Sequence, residues 1–137
     1  MITNPFRRRT SRPEFEVGQV WHYRTRTVEP ESTLVIGRIE PGSRGNTIHL
    51  SVRDLRIANP NAAGGIAETI AHLALDEESL SRSVTELTGR GTPDEQFESG
   101  YAEWLEGTEG EGAFSITVAE AVATVEALLS GGLGRAT

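Results

Sequence analysis

The feature that most limits how this chain can fold is T-I-H-L-S-V-R-D-L-R-I, residues 47–57. Apolar and polar side chains alternate along it, with Ile48, Leu50 and Val52 on one side and His49, Ser51 and Arg53 on the other. A period of two belongs to a half-buried β-strand and to no helix. The turn-forming run P-G-S-R-G-N (41–46) precedes it, and before that S-T-L-V-I-G-R-I-E (32–40) reads as another strand. Further upstream, V-E-P-E-S (28–32) breaks the chain after F-E-V-G-Q-V-W-H-Y-R-T-R, a third strand-like run. Three strands joined by two short loops predict an antiparallel meander with one wet side.

In the first of these strands Gln19, Trp21, Tyr23 and Thr25 share one side, and Val20, His22, Arg24 and Arg26 the other. Segment 66–75, I-A-E-T-I-A-H-L-A-L, supports two readings. Its Ala, Glu and Leu favour helix, while its alternation suits a buried strand, which we place at 69–75. Helical signals then dominate. Asp76 caps a helix in which Leu80, Val84 and Leu87 form a stripe, closed by Gly89, with Leu75 and Leu80 as a hydrophobic staple. T-P-D-E (92–95) opens a second helix carrying Phe97, Tyr101, Trp104 and Leu105. A-F-S-I (113–116) is a short strand. T-V-A-E (117–120) is a capping box for a last helix with Val118, Val122, Val125 and Leu129 inward.

Strands first and helices afterwards predict an α+β fold: a curved antiparallel sheet of four to five strands, or a partial barrel, with about three helices packed on its apolar face. The helix with Phe97, Tyr101 and Trp104 is expected to cover Trp21 and Tyr23. At 137 residues this is one domain, 14–130, with an arginine-rich flexible arm at 1–13 and a fraying tail at 131–137.

The chain contains no cysteine, which excludes disulfides, thiol nucleophiles and cysteine-type zinc sites, and fits a reducing compartment. No apolar run reaches the roughly 20 residues that span a bilayer, and no secretion signal opens the sequence. A cytoplasmic protein without membrane partners is expected. The histidines His22, His49 and His72 are spaced by 27 and 23 residues, unlike any compact ligand motif, so no metal is expected. There is no G-x-S-x-G elbow and no P-loop, and no cofactor is implied.

Charge carries more information. All 13 basic residues are arginine. Residues 1–56 hold 10 Arg against 6 acids, a net of +4, and residues 57–137 hold 3 Arg against 14 acids, a net of −11. If the strands pair in sequence order, His22, Arg24, Arg26, Arg38, His49 and Arg53 could form one basic, histidine-bearing surface, the candidate binding residues of the chain. Glu103, Glu106, Glu109 and Glu111 read as a solvated acidic face. The absence of an assembled catalytic motif favours a non-catalytic domain that binds a protein partner, such as an immunity- or antitoxin-like inhibitor. Nucleic-acid or phosphate binding through the arginines is the alternative. A small enzyme built on a His/Arg pair is the third.

The segments F-E-V-G-Q-V-W-H-Y-R-T-R, E-S-T-L-V-I and I-H-L-S-V resemble a group of small uncharacterised bacterial proteins, and I-A-H-L-A-L and F-S-I-T-V-A-E-A-V fit the same pattern. The resemblance covers most of the chain after residue 14. It implies a bacterial, stand-alone α+β domain, draws attention to Thr25, Arg26 and His49, and transfers no catalytic residue.

Overall fold

A computed structural model describes residues 13–130; the expected arm, apart from Pro13, and the expected tail lie outside them. The fold is α+β, as read from the sequence. Its sheet has five strands: β1 (Gln19–Tyr23), β2 (Thr33–Gly42), β3 (Gly45–Ala58), β4 (Ile66–Asp76) and β5 (Val84–Arg90). Every strand pairs antiparallel with its neighbour, in the order β4-β3-β2-β1-β5. Three helices pack against it: α1 (Glu77–Ser83), α2 (Phe97–Thr108) and α3 (Val118–Leu129).

The β2–β3 turn is as tight as its glycines suggest. Gly42 pairs with Gly45, and Gly45 takes a φ of +86°, leaving Ser43 and Arg44 as a two-residue loop. Along β3 the expected alternation holds to Val52 and then changes phase. Asp54 adopts a left-handed φ of +58°, after which Leu55 and Ile57 are the buried side chains. The ladder to β4 slips across the same stretch, which is the behaviour of a bulge. In β2 the extra residue is Gly37, between the pairs Ile36–Leu50 and Arg38–His49.

Leu34, Ile36, Ile48, Leu50, Val52, Leu73 and Leu75 form one apolar cluster with Leu80 of α1 and Val118, Ala121 and Val122 of α3. Trp21 and Tyr23 belong to this cluster as well. They therefore meet α3's layer and not, as expected, the helix with Phe97, Tyr101 and Trp104. Burying a large aliphatic side chain contributes roughly 1.5–3 kcal/mol, so this cluster dominates the stability of the domain.

Two helix starts are as read. Asp76 accepts from the Ser79 amide, and Thr117 and Glu120 complete a reciprocal capping box. Other boundaries differ. The expected helix over Leu80, Val84 and Leu87 ends at Ser83, and Val84–Arg90 becomes β5 on the otherwise open edge of β1. Thr92 does not cap α2. The Asp94 amide is drawn to Ser51 Oγ on the sheet, the Asp94 carboxylate accepts from the Gln96 amide, and the helix begins only at Phe97. Residues 113–116 contribute a single parallel bridge, Phe114 to Leu75, and Leu129 is 37% exposed rather than inward.

Candidate functional site

Side chains of the other parity on β2, β3 and β4 meet α2. Two glycines permit that approach. A Cβ on Gly37 would sit 2.5 Å from the Phe97 ring, and one on Gly100 would sit 2.7 Å from the Cβ of His72. Phe97, 1% exposed, anchors the helix there.

Beneath α2 runs a continuous chain of hydrogen bonds. Arg38 and Glu40 alternate along β2, and the Tyr101 hydroxyl donates to both Glu40 carboxylate oxygens, at 3.0 and 3.2 Å. The same carboxylate faces His49 Nε2 at 2.9 Å, and His49 Nδ1 lies 2.8 Å from His72 Nε2. An ionised Glu40 can only accept, so His49 Nε2 carries the proton and its Nδ1 is the acceptor. His72 Nε2–H donates to that acceptor, which leaves His72 Nδ1 as the one ring nitrogen of the pair with a free lone pair. Trp104 and Tyr101 stand edge-on to the fully buried His49, at 4.8 and 4.9 Å between ring centroids. The Arg38 guanidinium covers the outer side of Tyr101 at 4.3 Å, and its Nε pairs with Glu40 at 3.2 Å.

These surroundings set the charge states. Burial pushes the Glu40 carboxyl up, but the hydrogen bonds from Arg38, Tyr101 and His49 outweigh it and hold the group below the ordinary carboxylate range. Burial lowers the proton affinity of His49 against the pull of Glu40. Burial, reinforced by the neighbouring His49, pushes His72 down to about 4. At neutral pH the layer therefore holds one carboxylate and two uncharged imidazoles. His72 is a weak base there, and neither described cavity, one of about 290 Å³ at the β2–β3 turn and one of about 110 Å³ beside Arg53, is lined by either histidine. Among the described residues no group of three or more His, Asp or Glu side chains is arranged to hold a metal ion.

The six candidate residues divide. Register places His22 opposite Thr33, and Thr33 opposite Arg53, so these stand in one row across the sheet. Arg38 is opposite His49 two rows further on. His22, Arg38, His49 and Arg53 thus share the side that α2 approaches. Arg24 and Arg26 do not, because β1 ends at Tyr23. Arg24 donates to the Arg82 carbonyl at 2.7 Å. Arg26 grips the buried Glu29 with two nitrogens, at 2.6 and 2.9 Å, and Glu126 of α3 with a third, at 2.8 Å. Arg53 makes one long contact, 3.4 Å to the Thr33 hydroxyl, and lines the smaller cavity with Ser51, Thr69 and Asp94.

Four residues of the layer, Glu40, His72, Tyr101 and Trp104, were not among the candidates. The available signal was the match between an aromatic stripe at helical spacing and polar side chains at alternate strand positions.

The outer side of α2 is different in kind. Helical spacing turns Glu98, Glu103 and Glu106 away from Phe97, Tyr101 and Trp104. With Glu95 and Glu109 at the two ends they make five exposed carboxylates, and among the described residues none pairs with an arginine. Leu105, 42% exposed, lies among them. No helix among the described residues is long and apolar enough to cross a membrane. No family model, curated protein or solved structure matches the chain.

Proposed function

We propose that this domain is a non-catalytic binding module whose docking surface is the outer, acidic side of α2, and whose partner is a protein presenting a basic patch. The observation that carries the reading is the position of the charges. Glu95 and Glu98, at the start of the helix, complement its dipole. Glu106 and Glu109 sit at the opposite end, where carboxylates oppose the dipole, with Glu103 about one turn before Glu106, and α2 has no basic residue in its last turn. Local stability does not account for them, whereas a cationic partner does. An inhibitor that covers the basic catalytic surface of a nuclease is one concrete form of such a module, by analogy.

The arginines support a phosphate or nucleic-acid surface less well. Arg26 is occupied by Glu29 and Glu126, and Arg38 by Glu40 and Tyr101. Neither His22 nor His49 lines either of the two described cavities, so an enzyme built on them has less support.

The test compares the wild-type chain with Glu103→Gln/Glu106→Gln, each immobilised and exposed to extract of the native cell. The double variant should be at least as heat-stable as wild type, because it removes like charges from the unfavourable end of a helix. Wild type should retain a basic protein at about 50 mM salt and release it by about 300 mM, as screening shortens the reach of the carboxylates. The variant should fail to retain it. Equal retention by the variant, or salt-sensitive retention of DNA or RNA instead of protein, overturns the reading.

A further inference from the structure

Two arginines among the described residues are half-buried, Arg26 and Arg53, and their charges are met in opposite ways. Arg26 is gripped by the Glu29 and Glu126 carboxylates. Arg53 makes one long contact, 3.4 Å from Nε to the Thr33 hydroxyl, and its Nη1 and Nη2 have no hydrogen-bond partner among the described residues. All 20 Asp and Glu side chains of the chain lie among those residues, and none comes within ion-pair distance of Arg53. A guanidinium drawn partly out of water without a counter-charge is costly.

Arg53 opens onto the smaller cavity, about 110 Å³, whose other walls are Val35, Ser51, Thr69, Thr92 and Asp94. The segment that carries Thr92 and Asp94 is held at both ends. The Gly91 amide donates to the Gly18 carbonyl at 2.8 Å, and the Asp94 amide to Ser51 Oγ at 2.9 Å. A Cβ on Gly91 would stand 3.2 Å from Val20 and 3.7 Å from Arg53 Nη2, so the segment runs close beside the guanidinium. Ser51 gives its own proton to the Ala71 carbonyl at 2.7 Å, so it anchors Asp94 and keeps no donor for a ligand. Asp94 Oδ2 accepts from the Gln96 amide at 2.8 Å, and Oδ1 has no partner among the described residues. The cavity thus offers one guanidinium, two threonine hydroxyls and one carboxylate oxygen in a fixed frame.

We propose that this cavity binds a phosphate group that retains a proton, with oxygens on Arg53, Thr69 and Thr92 and its P–O–H donating to Asp94. The planar fork of an arginine matches two oxygens of a phosphate. The volume equals that of three to four waters at about 30 Å³ each, which suits a tetrahedral oxyanion and is too small for a nucleoside. Asp94 sets the identity of the ion. Sulfate or a carboxylate can only accept at neutral pH and would meet Asp94 as a like charge, whereas hydrogen phosphate can donate to it. The group is either the free ion or the phosphate of a monoester whose remainder lies outside the cavity. A single recessed phosphate differs from the extended surface that the occupied Arg26 and Arg38 disfavour, and the site does not depend on the acidic side of α2.

The test titrates the isotope-labelled full chain with inorganic phosphate to about 20 mM, at about pH 6 and constant ionic strength, a range that reaches weak millimolar binding. The amide signals of Arg53, Thr69, Thr92 and Asp94 should shift saturably, and sulfate should bind at least tenfold more weakly. Arg53→Met keeps the aliphatic stem and loses no ion pair, so it should keep the wild-type spectrum yet lose the response to phosphate. Asp94→Asn keeps an acceptor for the Gln96 amide and gains donors, so sulfate should bind it as tightly as phosphate does. Methyl phosphate, whose second pKa is about 6, keeps about half its proton there and separates the two sources. Binding of the ester within about threefold of the ion assigns the site to a monoester, and binding of the ion alone assigns it to free phosphate. No saturable shift with either overturns the proposal. So do sulfate binding wild type as tightly as phosphate, an Arg53→Met chain that responds like wild type, or an Asp94→Asn chain that still prefers phosphate tenfold.

Discussion

Leu50 and His49 are neighbours on β3, and both are fully buried. Leu50 joins the apolar cluster that includes Leu80 of α1 and Val118 of α3, whereas His49 meets Tyr101 and Trp104 of α2 and is hydrogen-bonded through both ring nitrogens. One strand thus feeds two layers closed by different chemistry. The apolar layer gains from area alone, without regard to direction or pH. The histidine layer depends on direction: Glu40, His49 and His72 are satisfied only in one tautomeric arrangement, and only while His49 is uncharged and its Nδ1 can accept. The first layer holds the domain together. The second decides how α2, and with it the acidic surface, is presented.

The largest effect should come from the apolar layer. Leu50→Ala removes a fully buried side chain from its centre and should cost about 3 kcal/mol. Urea denaturation should report that loss equally at pH 7 and pH 5. A loss that grew on acidification would mean that the two layers are coupled rather than separate.

Acid should act on the second layer. The groups facing the histidine pair are Arg38 and Glu40 on β2 and Phe97, Tyr101 and Trp104 on α2. Both imidazoles bind protons less readily in the folded chain than their ordinary value of 6.5, so the unfolded chain takes up protons first as the pH falls. Their contribution to stability is complete above about 6.5 and is lost on the way down to about 4, where His72 is protonated in the folded chain too. With allowance for solvent screening at a half-buried ring, His72 accounts for on the order of 2 kcal/mol. Asp76, Glu40 and Glu126 have lowered values and act only further into acid, so the interval from pH 6.5 to 5 isolates the histidines. His72→Gln keeps an N–H donor for His49 and should flatten the stability curve over that interval. An unchanged slope would show that His72 is not the titrating group.

The two layers were unequally legible in the sequence. The apolar layer was read almost correctly, because Ile48, Leu50 and Val52 obey a period that belongs to one kind of structure. Even the slip at Asp54 was written there, as a change from even to odd apolar positions at Leu55 and Ile57, and went unread because the whole run was treated as strictly alternating. β5 was hidden for a different reason. Leu80, Val84 and Leu87 satisfy helical spacing, while the β-branched residues of V-T-E-L-T suit a strand. The unpaired edge of β1, more than 60 residues upstream, decided between them. The histidine layer needed one more step. Parity showed that His49 and Arg53 share a side, and helical spacing showed that Phe97, Tyr101 and Trp104 do. Neither shows which helix covers which side, and so the aromatic stripe was assigned to Trp21. That choice rests on the crossing of α2 over Gly37, a contact between residues 60 apart.

Arg38 gives the smallest effect and the sharpest distinction. It was read as a binding residue, and it now lies on Tyr101 with Nε on Glu40, at the rim of the histidine layer. Arg38→Met keeps the aliphatic stem over the ring and removes the charge. At pH 7 it should cost less than about 1 kcal/mol, the sum of one cation–π contact and one surface ion pair. Its consequence at lower pH is more specific. The Arg38 charge helps to keep His49 neutral and Glu40 ionised. Without it His49 gains protons more readily in the folded chain, so less stability is lost between pH 6.5 and 5, while the limb governed by Glu40 becomes smaller and is complete at higher pH. Urea denaturation of the variant across that range measures both shifts. If Arg38 served instead as part of a phosphate-binding surface, the substitution would leave the stability curve where it was and abolish a salt-sensitive affinity for nucleic acid. The same variant therefore separates a residue that tunes the histidine layer from one held out for a ligand.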